Sequence, residues 1–190
     1  VSAMELEALE ALYANSDDPW RHRHSVYEQA KYAKTLEALA RPRYDSILEV
    51  GCGNGTLGEQ LAQRCDRYVG VDAVERALQA AARQLPSGEF HQRYLPDELP
   101  EGPFDLVVLS EVLYFLDQRG IAALIQQITE RWSSAEIVSV NYLGPTEQSL
   151  QGFDAVLHTV TALPQGWYHR RGTRMAQYRI DTFIQRRESA

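Results

Sequence analysis

Between positions 49 and 55 the chain reads Glu49-Val50-Gly51-Cys52-Gly53-Asn54-Gly55. Glycines at alternate positions let a backbone turn sharply and let a ligand approach without meeting a Cβ. A carboxylate, Asp72, follows about 20 residues on, the distance at which nucleotide folds set an acid against ribose hydroxyls. Another acid, Glu111, comes just after the apolar run Phe104 to Leu109. A charge there is unexpected unless it meets a cavity or the positive end of a helix. The chemistry these residues could do is the binding of an adenosine-bearing ligand with an acid held beside its reactive end.

Two ligands fit this spacing. Gly53-Asn54-Gly55-Thr56-Leu57-Gly58 spells G-x-G-x-x-G, the dinucleotide fingerprint, which is weak by itself. Three features favour S-adenosylmethionine (SAM) instead. Glu49 would repel a pyrophosphate, whereas SAM carries an ammonium and a sulfonium. The glycine array begins at Gly51, earlier than the dinucleotide pattern requires. The end of the chain reads as an antiparallel pair rather than as further parallel strands. An NAD-dependent oxidoreductase and a non-catalytic SAM- or nucleotide-binding module stay open as alternatives. Methyl transfer from SAM is an in-line displacement in which alignment can contribute up to about 7–11 kcal/mol. For a nitrogen acceptor a base is needed only to remove a proton. No metal is required, and Asp18, His22, His24 and Glu28 lack a diagnostic ligand spacing.

The elements that must position these residues follow from periodicity. Leu6, Leu9, Leu12 and Tyr13 predict a helix from about Ala3 to Ala14, stopped by Asn15-Ser16-Asp17-Asp18-Pro19. A second helix is predicted from about Ser25 to Ala40, with Ser25 and Glu28 spaced as a capping box and Pro42 closing it. Short apolar runs predict strands at Ile47 to Val50, Tyr68 to Asp72, Glu89 to Arg93, Phe104 to Leu109 and Glu136 to Val140. Helical spacing recurs between them, around Leu57 to Ala62, Val74 to Leu85 and Ile121 to Trp132. A helix near Phe153 to Leu163 precedes two strands, Trp167 to Arg170 and Met175 to Ile184, turned by Arg171-Gly172-Thr173. Alternation of this kind makes an α/β fold with a mostly parallel sheet. Ligands in such sheets lie beyond the carboxyl ends of the strands, where the glycine loop and Asp72 fall.

The 190 residues fit one domain, a helical cap over 1–43 and a core over 44–190. A net charge of -7 argues against a general nucleic-acid binder. Arg170, Arg171, Arg174, Arg179, Arg186 and Arg187 keep an anionic partner open, a solvated face being the plainer reading. The two cysteines, Cys52 and Cys65, are too few for a disulfide scaffold, and Cys52 reads as packing. No apolar run approaches the roughly 20 residues that cross a membrane, and no signal-peptide pattern opens the chain. The expected setting is the cytoplasm.

Taken together, Glu49 to Gly55 resembles motif I of class I SAM-dependent methyltransferases, and Asp72 resembles their ribose-binding acid. Phe104-Asp105-Leu106-Val107-Val108-Leu109-Ser110-Glu111-Val112-Leu113-Tyr114-Phe115-Leu116 resembles the strand-four motif of the nodulation N-methyltransferase (NodS-like) subgroup. Asp18-Pro19-Trp20, Tyr27 to Tyr32 and Tyr178 to Asp181 are similar to it as well. The resemblance implies a three-layer, Rossmann-like, seven-stranded sheet with its last strand antiparallel. It implies a small-molecule acceptor, an amine or amino-sugar nitrogen, with S-adenosylhomocysteine as product. On the same ground Gly51, Gly53 and Asn54 line the methionine part, Asp72 and Ala73 flank the ribose, and Ser110 and Glu111 sit by the sulfonium. Where many relatives carry an acid for the adenine amino group this chain has Tyr94, so stacking or backbone contacts from Tyr94 and Leu95 are expected. Trp132 to Glu136 replaces the usual Pro-Gly-Gly turn.

Glu111 is the first candidate to contact the acceptor or the SAM ammonium, and Tyr114 lines the acceptor pocket or the core. Trp20, Tyr27 and Lys31 are expected in a lid over the cofactor, with a solvated charge the plainer reading of Lys31. His22 and His24 are exposed loop residues, or bases if the lid closes. Asn141 and Tyr142 are placed to face an acceptor.

Overall fold

The structure, a computed structural model, describes residues 6–14, 16–19, 21–146 and 150–186. Two helices, α1 (Leu6–Tyr13) and α2 (Val26–Ala38), precede the sheet. Then come β1 (Tyr44–Val50), α3 (Thr56–Ala62), β2 (Cys65–Asp72), α4 (Glu75–Gln84), β3 (Glu89–Gln92) and β4 (Leu106–Ser110). A short 3-10 turn, Leu113–Phe115, leads to α5 (Gln118–Arg131), β5 (Glu136–Tyr142), α6 (Gly152–Ala162), β6 (Trp167–Arg174) and β7 (Tyr178–Gln185). The sheet order is β3-β2-β1-β4-β5-β7-β6, seven strands with β7 antiparallel to both neighbours. This is the mostly parallel α/β sheet that the alternating pattern predicts, with the three layers and seven strands that the resemblance implies. Among the described residues no helix is long and apolar enough to cross a membrane.

Strand pleating divides the core in two. Leu48 and Val50 point to one face, with Val69, Leu109, Ile121, Leu124 and Trp132. Ile47 points to the other, with Tyr32, Leu57, Leu61, Val108 and Val138. Successive strand residues face opposite ways, so central strands covered by helices on both sides read as unbroken apolar runs. Each fully buried Leu, Ile or Val contributes about 1.5–3 kcal/mol.

Helix α2 begins as its sequence dictates, the Ser25 hydroxyl accepting the Glu28 N–H at 3.3 Å. The reciprocal half of the capping box goes elsewhere, because the Glu28 carboxylate bonds His22 and Lys31. The far end of α2 is tied to the sheet by Glu136, which is buried. Its carboxylate accepts the Ala40 N–H at 3.0 Å and the Tyr44 hydroxyl at 2.5 Å. Arg170 donates to the Ala38 carbonyl at 2.6 Å and lies 3.6 Å from Glu136. Glu136→Ala should therefore destabilise the fold, because the Ala40 N–H and the buried Tyr44 hydroxyl lose their acceptor, at about 1–3 kcal/mol for each group left unsatisfied. Urea denaturation checks this, and a loss below about 1 kcal/mol would show that the tether is idle.

The closing hairpin departs from the sequence expectation. The turn is Met175-Ala176-Gln177, closed by the Met175 N–H on the Tyr178 carbonyl at 2.8 Å. Gly172 lies inside β6, just after a register shift between His169 and Arg171. A Cβ there would sit 3.0 Å from Asp181 Oδ1 and from the His169 ring. The glycine marks a close approach within a strand, the other common meaning of an isolated glycine. Arg170 and Arg179 are engaged inside the molecule, Arg179 forking onto the buried Asp181 at 2.6 Å. Arg171, Arg174 and Arg186 are exposed, and Arg187 lies outside the described residues.

Candidate functional site

A cavity of about 570 Å³ opens at the carboxyl ends of β1, β2, β4 and β5, with α1 and α2 across it. Its first wall is the glycine loop. Gly51 and Cys52 both donate their N–H groups to the Val71 carbonyl, at 2.8 and 3.0 Å. Gly51 has a φ of +82°, and a Cβ on it would stand 2.0 Å from Val112 Cγ1 and 2.7 Å from the Ser110 carbonyl. Gly53 is also left-handed, at +53°, and donates its N–H to Asp72 Oδ2 at 2.9 Å. Asp72 Oδ1 takes the Val74 N–H at 3.0 Å. Each Asp72 oxygen keeps a further lone pair, so the acid that fixes the loop can also accept ribose hydroxyls. Burial raises its pKa against the opposing pull of those N–H bonds.

Asn54 is buried, its Oδ1 accepting the Thr56 N–H at 3.3 Å and hydroxyl at 2.7 Å. Among the described residues its Nδ2 has no partner. A buried amide donor on a cavity wall invites an acceptor from a ligand, since leaving it unpaired costs about 1–3 kcal/mol. Ala73, Tyr94 and Leu95 line the same end. Glu49 lies deeper, 1 % exposed, and accepts the Tyr68 hydroxyl at 2.5 Å. Burial pushes its carboxyl up to about 8, with Tyr68 and Ser110 opposing and Asp72 adding to the rise. Near neutral pH this group is mostly protonated until a cation arrives, which tempers the charge argument made from sequence. The cavity can offer that cation a carboxylate by releasing a proton.

The sign of the linkage is fixed by the raised value. Glu49 holds its proton in the fold up to about 8 but releases it near 4.5 in the open chain. Its contribution is full below 4.5 and is lost as pH rises through 8. Glu49→Gln should flatten the fall in chemical stability between those limits. Urea midpoints at pH 5 and pH 8 that separate equally in both proteins would dismiss this origin.

At the end of β4 the chain turns through Glu111, whose φ of +55° is rare for a residue with a side chain. Such strain costs roughly 1–3 kcal/mol and clusters at functional sites. The turn hangs on the Glu111 N–H bonding the Val140 carbonyl at 3.0 Å. The Glu111 carboxylate lies on the cavity wall, 2.9 Å from Lys31 Nζ as an ion pair. Lys31 is 2 % exposed, which corrects its reading as a solvated charge. Positions 28 and 31 share one face of α2, and that face lies on the cavity. There Lys31 Nζ also sits 2.8 Å from Glu28 Oε2 and lies over the Tyr27 ring at 5.3 Å. Glu28 Oε2 is 3.1 Å from His22 Nδ1, which is 2.9 Å from the Tyr32 hydroxyl. Burial works against the Glu28 charge, yet His22 and Lys31 hold its carboxyl down to about 2. Asp18 clamps the preceding turn, taking the His22 N–H at 2.7 Å and the Arg23 N–H at 3.1 Å.

Tyr27, Tyr114 and Tyr142 line the cavity near Glu111. The Tyr27 hydroxyl is buried without a partner among the described residues, and its ring stands edge-on to Tyr178 at 5.7 Å. Tyr114 is both buried and on the wall, so its two readings coincide. Asn141 is turned away, fully buried and bonded to Ser139 Oγ at 2.7 Å. His24 is exposed, and Trp20 lies outside the described residues. Cys52 is buried and its thiol pKa is pushed up by burial, as packing requires. Tyr13, which periodicity placed only on a helix face, reaches over the loop to within 3.6 Å of where a Gly53 Cβ would lie.

The family model described as Nodulation protein S (NodS) matches residues 5–140. Nodulation protein S of Bradyrhizobium diazoefficiens is 38% identical over 111 residues, covering 53% of this chain and 50% of that protein. That of Sinorhizobium fredii is 34% identical over 107 residues, covering 54% of this chain and 49% of the relative. The chain spans about half the length of the curated relatives it matches. A putative methyltransferase from Pseudomonas syringae superposes with a TM-score of 0.72 at 28% identity, covering 84% of this chain and 99% of that one. The N-methyltransferase NodS of Bradyrhizobium japonicum, solved with S-adenosylhomocysteine, gives 0.81 at 20% identity, covering 95% and 97%. The family match over well more than half of the residues, on a sheet of this order, means that the chain belongs to the NodS family and has the class I methyltransferase fold.

Proposed function

We propose that this chain is a SAM-dependent methyltransferase acting on a small molecule, with an amine or amino-sugar nitrogen as acceptor. The observation that carries the reading is a single cavity joining the glycine loop and Asp72 to the strained acid Glu111. The donor set fits SAM. Asn54 Nδ2 and the glycine backbone suit the methionine end, with Glu49 for its ammonium. Asp72 and Ala73 suit the ribose, and Tyr94 and Leu95 the adenine. SAM, when bound, supplies an electrophilic methyl group on sulfur. Ser110 and Glu111 then hold the reacting end, and Tyr27, Tyr114 and Tyr142 wall an acceptor beside it. The helices before Tyr44 act as a cap that excludes water, with Tyr13 over the loop and Tyr27 over the acceptor side. Displacement needs this alignment more than it needs a strong base.

Open space beside Ser110 to Tyr114 supports an enzyme over a binding module, which would have no use for it. The test has two arms. Calorimetric titration with S-adenosylhomocysteine should give saturable binding at one site. A methyl-transfer screen against amines, amino sugars and small carboxylates should give product with nitrogen acceptors. Binding without transfer would favour the module, and NADH binding without S-adenosylhomocysteine binding would favour the oxidoreductase.

A further inference from the structure

Beside Glu111 the cavity is walled by the rings of Tyr27, Tyr114 and Tyr142. Tyr27 and Tyr114 lie within electrostatic reach of Glu111, of Tyr142 and of each other. Two buried oxygens there have no hydrogen-bond partner among the described residues, Tyr27 Oη and Glu111 Oε1. Lys31 Nζ is an ion-pair neighbour of Glu111 Oε1 at 2.9 Å, but its hydrogen bond goes to Glu28 Oε1 at 3.0 Å. One lysine thus stands between two carboxylates, and Glu111 has lone pairs left for a second cation. We propose that this end of the cavity is a box for methylated ammonium ions, so that the enzyme adds more than one methyl group to the same nitrogen. The proposal rests on the amine reading given above.

A phenol ring carries negative charge on its faces and attracts a cation within about 6 Å of its centre. The protein already uses this attraction, with Lys31 Nζ 5.3 Å over the Tyr27 ring and 6.0 Å from the centre of the Tyr32 ring. A primary ammonium presents three N–H donors that want acceptors. Each methyl group that replaces a proton removes one such demand and adds apolar surface that a ring can cover. A wall of three rings with two unpartnered oxygens therefore suits the nitrogen better after methylation than before it. Tyr142 is held firmly in this wall by two glycines. A Cβ on Gly144 would stand 2.1 Å from Tyr142 Oη, and one on Gly152 would stand 1.8 Å from the Tyr142 carbonyl oxygen. The loop after β5 and the start of α6 thus close around this one residue.

Each round balances in the same way. The lone pair of a neutral nitrogen forms the C–N bond while the C–S bond breaks, and the electrons of that bond leave with sulfur. Positive charge moves from sulfur to nitrogen, so a carboxylate beside both keeps a cationic partner when the product forms. The new ammonium gives one proton to water, which restores the lone pair, and the next round consumes another SAM. The series ends at a quaternary ammonium, which has no proton to lose.

Binding is measured apart from activity. Choline, a quaternary ammonium, and its uncharged tert-butyl isostere are titrated into the protein saturated with S-adenosylhomocysteine. Choline should bind roughly tenfold more tightly, within the range of desolvated cation–π pairs. Tyr142→Leu and Glu111→Gln should each remove most of that preference, whereas Tyr142→Phe, which keeps the ring, should retain it. Equal affinity for the two probes overturns the box and leaves an apolar acceptor pocket. A preference untouched by both Tyr142→Leu and Glu111→Gln overturns it as well, and if Tyr142→Leu does not fold, Glu111→Gln decides. In turnover, mass spectrometry of an active primary amine should show dimethylated product, and the N-methyl derivative of that amine should be methylated in turn. Product that stops at one methyl group, or an inert N-methyl derivative, overturns the proposal. Absence of S-adenosylhomocysteine binding or of any nitrogen methylation removes the functional reading instead, and the two probes then decide the box on the cofactor-free protein.

Discussion

Gly51→Ala is expected to lose about 2–5 kcal/mol of stability and all measurable binding of S-adenosylhomocysteine. The left-handed φ alone costs roughly 1–2 kcal/mol for alanine. Overpacking adds about 1–3 more, because the new Cβ would meet Val112 Cγ1 at 2.0 Å and the Ser110 carbonyl at 2.7 Å. Relief would push the Ser110–Val112 segment outward and take Glu111 from the cavity wall. Gly53→Ala is the control. Its φ is also positive, but the nearest atom to a Cβ is the Tyr13 hydroxyl at an ordinary 3.6 Å. It should lose only the conformational part, about 1–2 kcal/mol. Denaturant midpoints and calorimetry on the two variants check the contrast. Equal losses would mean that the close approach to β4 is not what the glycine at 51 provides.

Asp72→Ala should weaken S-adenosylhomocysteine binding by two to four orders of magnitude, about 3–6 kcal/mol. Each charge-assisted hydrogen bond is worth about 1.5–3 kcal/mol, and two to the ribose are lost. The same change strands the Gly53 and Val74 N–H groups that the carboxylate now accepts, so the loop loosens as well. Asp72→Asn keeps one acceptor oxygen and should lose less. An Asp72→Ala protein that binds within tenfold of the parent would place the ribose elsewhere.

Much of this architecture was readable without coordinates, for a physical reason. Strands such as Leu106–Ser110 are buried on both faces, so their apolar runs survive any detail of packing. The glycine loop was readable because backbone conformation restricts residue type at the position itself. The hairpin was misplaced because Gly172 has two physical meanings, a turn or a close approach, and only the Asp181 and His169 neighbours distinguish them. Lys31 was misread for a related reason. Whether a lysine is solvated depends on partners 80 positions away, here Glu111, that no local pattern reveals. Glu28 had a satisfactory local explanation as a capping-box acid, which hid its place in the network. The ionisation of Glu49 was out of reach as well, since it is set by how completely its strand is covered.

The order of the sheet also bears on how the molecule is made. β7 leaves the ribosome after the other six strands of this sheet, yet it lies between β5 and β6. Until its last residues emerge, the nascent chain carries β5 with one edge unpaired and β6 with no neighbour at all. Unpaired edges are templates for other chains, and translation at about 5–20 residues per second keeps them open for seconds. A stalled or clipped product lacking the eight residues of β7 would thus be poised to aggregate.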